Sequence, residues 1–331
     1  HDALPIFLHL QNKLNLTCGI SKTIFLLAKN SSEKLNNFVI CLEENAAYKF
    51  EKIGLAPVKC STPQYNPINI IINILFITRY CREKKIDIIH SHHRYFDLIT
   101  LVIGKVTGIK TVITVHSKIY GIRSLSYLNR NIIACGSAIK KHLVGYYRKN
   151  NLDITIINNM IDEDEISEIH SSNELKDCLL ISKDKVIIGF IGNFEINRKG
   201  LDVLVASFKD LLLTNSNIHL MLTGGGKDKK ILIEMTKQFS SNVTICDAVE
   251  NVFDYFRLID ILVLPSRTEP FSLSILEAGR FKKPVVGSNI DGTPEIISHM
   301  DNGLLFESEN INELNNCLQN LISDEKLRIK L

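Results

Sequence analysis

The sequence predicts an α/β protein made of two doubly wound, Rossmann-like domains. Three observations predict it. Short apolar, β-branched runs recur along the chain, longer helical patterns separate them, and the runs form two series divided by an acidic, irregular stretch. Continuous apolar runs imply strands buried on both faces, hence parallel sheets covered by helices. The first series is IFLHL (6–10), FVICL (38–42), IDIIHS (86–91), KTVITVH (110–116), NIIAC (131–135) and ITIIN (154–158). The second is VIIGFIG (186–192), IHLMLTG (218–224), VTICD (243–247), DILVLP (260–265) and PVVGS (284–288). SKTIFLLAKN, AIKKHLVGYYRK, GLDVLVASFKDLL and ELNNCLQNLIS supply helices between them. The divide is DEDEISEIHSSNELKD (162–177), which gives an N-terminal domain over 1–163, a linker over 164–185 and a C-terminal domain over 186–331. In such sheets ligands bind beyond the carboxyl ends of the strands, so the loops after the strands are where chemistry is expected.

A chain of 331 residues suits two domains. Its 45% hydrophobic and 23% charged residues are ordinary globular usage, and a net charge of +3 argues against a dedicated nucleic-acid binder. Eight scattered cysteines lack CxxC or zinc-finger spacing and read as reduced thiols of a cytoplasmic protein. No secretory signal is visible, and the apolar run INIIINILFI (68–77) is too short to span a bilayer. HDALPI reads as translated sequencing adapter, so native sequence is expected to resume near Ile6 or Phe7. SDEKLRIKL stops inside a charged helical pattern, so truncation is expected at that end as well.

PSRTEPFSLSILEAG (265–279) carries two carboxylates, Glu269 and Glu277, at a strand-to-helix junction. Pro270 suits a first helical turn, and the N–H groups of Phe271, Ser272 and Leu273 would make an anion site with the helix dipole. GFIGNFEINRKGLDVL is a second such junction, with Gly192, Asn193 and the cations Arg198 and Lys199. LMLTGGGKDKK is a third, with Gly224 to Gly226 after its strand. Each alone could be a tight turn with a solvated helix behind it. Three anion-friendly junctions with paired acids in one domain suggest a bound nucleoside diphosphate.

These segments, in this order, resemble the nucleotide-sugar domain of the retaining GT-B glycosyltransferases of family four, group 1. VTICDAVENVFDYFRLIDILVLP, FKKPVVGSNIDGTPEII and DNGLLF continue the likeness. CGISKTIFLLA, DIIHSHHRYFD, TVITVH, IIACGSAIKKHL and TIINNMID resemble the N-terminal, acceptor-binding half. The resemblance implies two domains facing across a cleft. It also implies metal-independent transfer of a hexose from a nucleoside diphosphate sugar, a co-substrate rather than a cofactor. The acceptor would be a hydroxyl of a saccharide or lipid-linked saccharide, in bacterial surface polysaccharide or glycolipid assembly. By this likeness Glu269 touches donor-sugar hydroxyls, Glu277 the ribose hydroxyls and Lys199 the diphosphate. Phe271 to Leu273 cradle the pyrophosphate, Gly19 approaches the phosphates, and His116 lies beside the sugar. His116, Glu269 and Lys199 are thus the catalytic candidates, and Gly19, His92, His93 and Arg94 mark the acceptor side. Two departures stand out. Asn193 replaces a usual arginine, which Arg198 or Arg267 could replace in turn, and the usual diglycine is Cys18–Gly19.

Rival readings remain. A glycosidase pair needs carboxyls about 5–9.5 Å apart, whereas eight helical residues span about 12 Å. The spacing favours two contacts on one elongated ligand. His90, His92 and His93 could suggest a metal, but no carboxylate or cysteine completes a set, and a strand-end loop is preferred. The segment 66–85, apolar with basic ends, could rest peripherally on the inner face of the cytoplasmic membrane. A buried helix is the plainer reading. A catalytically silent GT-B-like binding or scaffold protein is the alternative to the enzyme.

Overall fold

A computed structural model describes residues 4–15, 18–31, 34–60, 66–161, 172–249 and 251–331. The chain divides into two compact units, His1–Met160 and Ile161–Leu331. Unit 1 runs β1 (Ile6–Lys13), α1 (Gly19–Asn30), β2 (Asn36–Glu43), α2 (Ala47–Glu51), β3 (Val58–Lys59), α3 (Pro67–Lys84), β4 (Ile88–Ser91), α4 (Arg94–Thr107), β5 (Lys110–Val115), β6 (Ile132–Ala134), α5 (Ser137–Gly145) and β7 (Ile154–Ile156). Its seven strands are ordered β3-β2-β1-β4-β5-β6-β7, all parallel. Both faces are covered, as the double-sided apolar runs require. Leu8, Leu10, Ile40 and Leu42 pack against Ile77 and Cys81 of α3 and Phe96, Ile99 and Ile103 of α4. On the other face Val39 and Cys41 pack against Ile24 of α1 and Phe50 of α2.

Unit 2 runs α6 (Ser172–Cys178), β8 (Val186–Ile191), α7 (Ile196–Lys199), α8 (Leu201–Leu211), β9 (Ile218–Thr223), α9 (Lys229–Thr236), β10 (Val243–Cys246), α10 (Phe253–Leu258), β11 (Ile261–Leu264), α11 (Leu273–Arg280), β12 (Val285–Ser288), α12 (Thr293–Ile296), β13 (Leu304–Phe306), α13 (Ile311–Ser323) and α14 (Glu325–Lys330). Its six-stranded parallel sheet is ordered β10-β9-β8-β11-β12-β13.

All eleven strands expected from the sequence form. β3 and β13 are additional and too short to show a period. Part of the expected linker is built into unit 2: Leu175 of α6 and Leu179 and Ile181 just after it pack on the core, the Leu179 N–H closing the last turn on the Leu175 carbonyl. The remainder of that linker, 164–171, lies outside the described residues. α3 corrects another expectation. Ile77 and Cys81 are buried, but Ile68, Ile71, Ile72 and Leu75 are exposed, so it is not an ordinary buried helix. Among the described residues no helix is long and apolar enough to cross a membrane. Of the eight cysteines, Cys178 is exposed, while Cys41, Cys60, Cys81, Cys135 and Cys246 are buried.

Candidate functional site

The strand order of unit 2 reverses between β8 and β11, so its crevice lies beyond the carboxyl ends of those strands. Gly192 and Asn193 follow β8, and Pro265 to Ser272 follow β11. Glycines let these loops pack backbone to backbone. A Cβ on Gly224 would lie 1.9 Å from the Gly192 oxygen, and one on Gly200 would lie 1.9 Å from the Pro265 oxygen. Gly200 also ends α7 in the left-handed region, at φ 63°. The close approach of Gly200 to Pro265 sets Lys199 beside the β11 loop. Lys199 Nζ donates to Glu269 Oε2 at 2.5 Å, and Ser266 Oγ donates to the same oxygen at 3.1 Å. The two charged side chains are only 12% and 8% exposed. The backbone of Glu269 is pinned as well: its N–H donates to Asp291 Oδ2 (3.1 Å) and its carbonyl accepts from Gly292 N–H (3.0 Å).

That anchoring shifts the helix start. Pro270 packs against Gly292, whose Cβ would meet the Pro270 oxygen at 1.9 Å. α11 therefore begins at Leu273 with Ser272 as its N-cap in extended backbone, not at Pro270. Ser274 Oγ donates to the Ile191 carbonyl at 3.0 Å, tying the helix start to the end of β8. Glu277 lies one turn further on, buried. The candidates to replace an arginine at Asn193 are both engaged. Arg198 Nε donates to Glu195 at 2.8 Å, and Arg267 makes a two-pronged pair with Asp202 at 2.8 and 2.9 Å and also bonds Glu309. Carboxylates pair with both cations.

In unit 1 the order reverses between β1 and β4. A polar stripe crosses the α1-side face of the sheet there. Period-two alternation puts Asn37 of β2, His9 of β1, His90 of β4 and Thr114 of β5 on that face, with His92 and His116 just beyond the strand ends. His9 Nε2 faces Asn37 Oδ1 at 3.2 Å, His9 Nδ1 faces His92 Nε2 at 3.2 Å, and His92 Nδ1 faces His116 Nε2 at 3.2 Å. His90 Nε2 meets Thr114 Oγ1 at 2.7 Å, and its ring lies 4.0 Å from that of His92. Burial pushes His9 and His116 down to about 4 and holds His90 and His92 well below the ordinary histidine value. His93 instead caps α4, Nδ1 accepting from Tyr95 N–H at 3.1 Å, and contacts Asn12 at 3.2 Å. Gly19 opens α1 behind Cys18 as N-cap. Ile20, His92, His93, Arg94, His116 and Tyr127 line a concavity beside it.

Residues 185–324 match the family described as glycosyl transferases group 1, and residues 18–165 match glycosyltransferase family 4. Together the two matches span both units. The chain belongs to the family 4, group 1 glycosyltransferases. It is 26% identical over 279 residues to the N-acetyl-alpha-D-glucosaminyl L-malate synthase of Bacillus anthracis, covering 80% of this chain and 72% of that one. It is 26% identical over 240 residues to the O-antigen biosynthesis glycosyltransferase WclY of Escherichia coli, covering 66% and 65%. Anabaena HepE, solved in complex with UDP-glucose, shares the fold with a TM-score of 0.85 at 16% identity, over 98% of this chain and 92% of that one. The fold is GT-B.

In this glycosyltransferase, Gly192, Gly224, Lys199, Glu269, Ser272 and Leu273 come together at the crevice of unit 2, with Glu277 on the helix that starts there. His92 and His116 come together in unit 1. Sequence reasoning missed Ser266 and Asp291, which hold Glu269, and His9 and Asn37, which continue the histidine line. For the last two a signal existed. They are polar residues on one face of otherwise apolar strands, in NNFVICLE and IFLHLQ.

Proposed function

We propose that this glycosyltransferase moves a hexose from a nucleoside diphosphate sugar to a hydroxyl of a saccharide or lipid-linked saccharide, with retention and without a metal. The observation that carries the reading is the buried Lys199–Glu269 pair beside the start of α11, with Glu277 behind it. An ammonium has three donors, and Glu269 takes one. The others can meet a diphosphate, joined by the N–H groups that any helix start leaves without intrahelical partners. These groups supply the counter-charge that a developing diphosphate needs. In the step, the bond from the anomeric carbon to the phosphate oxygen breaks and the bond to the acceptor oxygen forms on the same face. The acceptor proton passes to the leaving phosphate. Glu277 would hold ribose hydroxyls, which do not change in the reaction. Glu277→Gln is therefore expected to raise donor KM and leave kcat nearly unchanged. Surface polysaccharide or glycolipid assembly is the context we favour, given relatives such as WclY.

The test is release of UDP, GDP or ADP from a panel of donors, with the anomeric configuration of the product read by NMR. Turnover with one donor, kept in excess EDTA and giving retained configuration, is expected. Turnover only with added manganese or magnesium would overturn the metal-free reading. Binding of a nucleoside diphosphate with no turnover on any donor would favour the silent binding protein. Peripheral membrane contact rests on α3, whose exposed Ile68, Ile71, Ile72 and Leu75 are followed by Arg79, Arg82 and Lys84. Co-sedimentation with anionic vesicles should be lost in an Ile71→Glu, Leu75→Glu variant; unchanged binding sinks that contact.

A further inference from the structure

Hydrogen-bond roles along the histidine line of unit 1 can be assigned one proton at a time, starting from α1. The carbonyls of Leu27 and Ala28, in the last turn of that helix, only accept. Ser31 Oγ donates to Leu27 O at 2.6 Å, which leaves its lone pairs for Asn37. Asn37 Nδ2 donates to Ser31 Oγ at 3.0 Å and reaches Ala28 O at 3.5 Å. These contacts orient the amide, so Asn37 Oδ1 faces His9 Nε2. An amide oxygen accepts, and His9 therefore carries its proton on Nε2. His9 is buried and held down to about 4, so near neutral pH it has that one proton and a bare Nδ1. His92 must then donate to it from Nε2. His92 is neutral for the same reason, so its Nδ1 is bare and accepts from His116 Nε2. The single proton of neutral His116 is thereby committed to His92. His116 Nδ1 has no hydrogen-bond partner among the described residues.

We propose that Asn37, His9 and His92 are positioning residues that hold His116 as its Nε2–H tautomer, so that His116 offers its ligand a bare Nδ1 and selects a hydroxyl that donates to it. Only the last clause rests on the proposed function; the proton order stands without it. A substrate whose hydroxyl at that position is replaced by fluorine or an ether loses the donor and would lose the contact. Such a hydroxyl, giving its hydrogen to a neutral ring nitrogen, keeps both lone pairs free for a second donor.

The rival occupant of the stripe is a metal. Nitrogens of His9, His90 and His92 lie within 4.8 Å of one another. A metal between His9 Nδ1 and His92 Nε2 would need a lone pair on each. His92 would then carry its proton on Nδ1, donate to His116 Nε2, and force His116 into the opposite tautomer. One measurement separates the two.

The experiment is two-bond proton–nitrogen correlation NMR on the full chain labelled with ¹⁵N-histidine near neutral pH. Spectra are taken after EDTA treatment and again with one equivalent of zinc, and signals are assigned by single His→Gln variants. Nε2–H signatures for His9, His92 and His116 in both spectra are expected. An Nδ1–H signature on any of the three, or inversion on adding zinc, overturns the proposal. Asn37→Leu and His9→Phe should split the His116 signal between tautomers. His9→Gln should restore the single form, since its amide can accept from His92 and donate to Asn37. An unchanged His116 signal in folded Asn37→Leu and His9→Phe overturns the relay. Donor release reads the proposed function separately, because the wild-type spectrum needs no turnover.

Discussion

Lys199 and Glu269 are 70 residues apart in sequence and form one buried ion pair. Removing one partner of such a pair strands the other charge, at a cost of about 3–5 kcal/mol. Lys199→Met is therefore expected to destabilise unit 2 by several kcal/mol. Adding Glu269→Gln should recover much of that loss, because a neutral amide can be held by Ser266 and needs no cation. Denaturant melts of the wild type, both single variants and the double variant measure it. A double variant less stable than Lys199→Met would reject the pairing as the cause. Each residue was legible as a type at its junction, but a pairing across 70 residues has no local period to reveal it. The engagement of Arg267 was illegible for the same reason, since Asp202 and Glu309 lie far from it in the chain, whereas the Arg198–Glu195 pair is local. With Arg198 and Arg267 both paired to carboxylates, Asn193→Arg should add a second cation to the crevice beside Lys199. A charge-assisted hydrogen bond contributes roughly 1.5–3 kcal/mol, or about ten- to a hundredfold in affinity for the bare nucleoside diphosphate. Calorimetric titration reads it, and unchanged affinity would place Asn193 away from the phosphates.

At the scale of elements, the glycines of unit 2 do different work that their shared letter hides. Gly224 lets the loop after β9 touch the loop after β8, and a methyl there would sit on a backbone oxygen. Gly279 lies inside α11, and a Cβ on it would meet nothing within 4 Å. Gly224→Ala is expected to destabilise by at least about 1–3 kcal/mol through forced separation of the loops and to weaken nucleotide binding. Gly279→Ala is expected to stabilise by about 0.5–1 kcal/mol, because alanine loses less backbone freedom in a helix. Equal effects of the two variants would contradict this division. The sequence showed GGG as a loop and EAGR as a helix, which is why the elements were legible. It did not show which glycine touches a neighbour. The start of α11 was misplaced by the same limit: Pro270 favours a first turn locally, but Gly292 from another loop packs against its carbonyl and bonds that of Glu269.

At the scale of the molecule, two units were legible because the strand series occurs twice. Their unequal response to acid was not, because it depends on which histidines are buried. In unit 1, His9, His93 and His116 are pushed to about 4 and His90 and His92 well below the ordinary value, burial being the main cause and Arg94 adding to it at His93. Among the described residues of unit 2 one such group occurs, His219, also at about 4. Between pH about 6.5 and 4 the unfolded chain binds protons at these sites and the folded chain does not. Their contribution is therefore complete above pH about 6.5 and lost as pH falls toward 4, each group giving up to about 1.4 kcal/mol per pH unit. Asp97 opposes them. Burial raises it to about 6, so its folded form favours the proton and its contribution is lost as pH rises from about 4 to 6. One acid against five histidines leaves the net slope of unit 1 strongly positive. In unit 2, Arg198 holds Glu195 and Arg267 holds Asp202 below the usual carboxylate value, so their contributions are present above that value and begin to be lost only at the acid end of the window. Scanning calorimetry of the full chain from pH 7 to 4.5 should show the transition of unit 1 falling far more than that of unit 2. Gly279→Ala assigns the transitions, since it should raise only that of unit 2. Asp97→Asn should steepen the fall of unit 1, because it removes the one opposing proton. Parallel shifts of both transitions, or a flatter slope in Asp97→Asn, would show that the buried histidines do not govern the acid response.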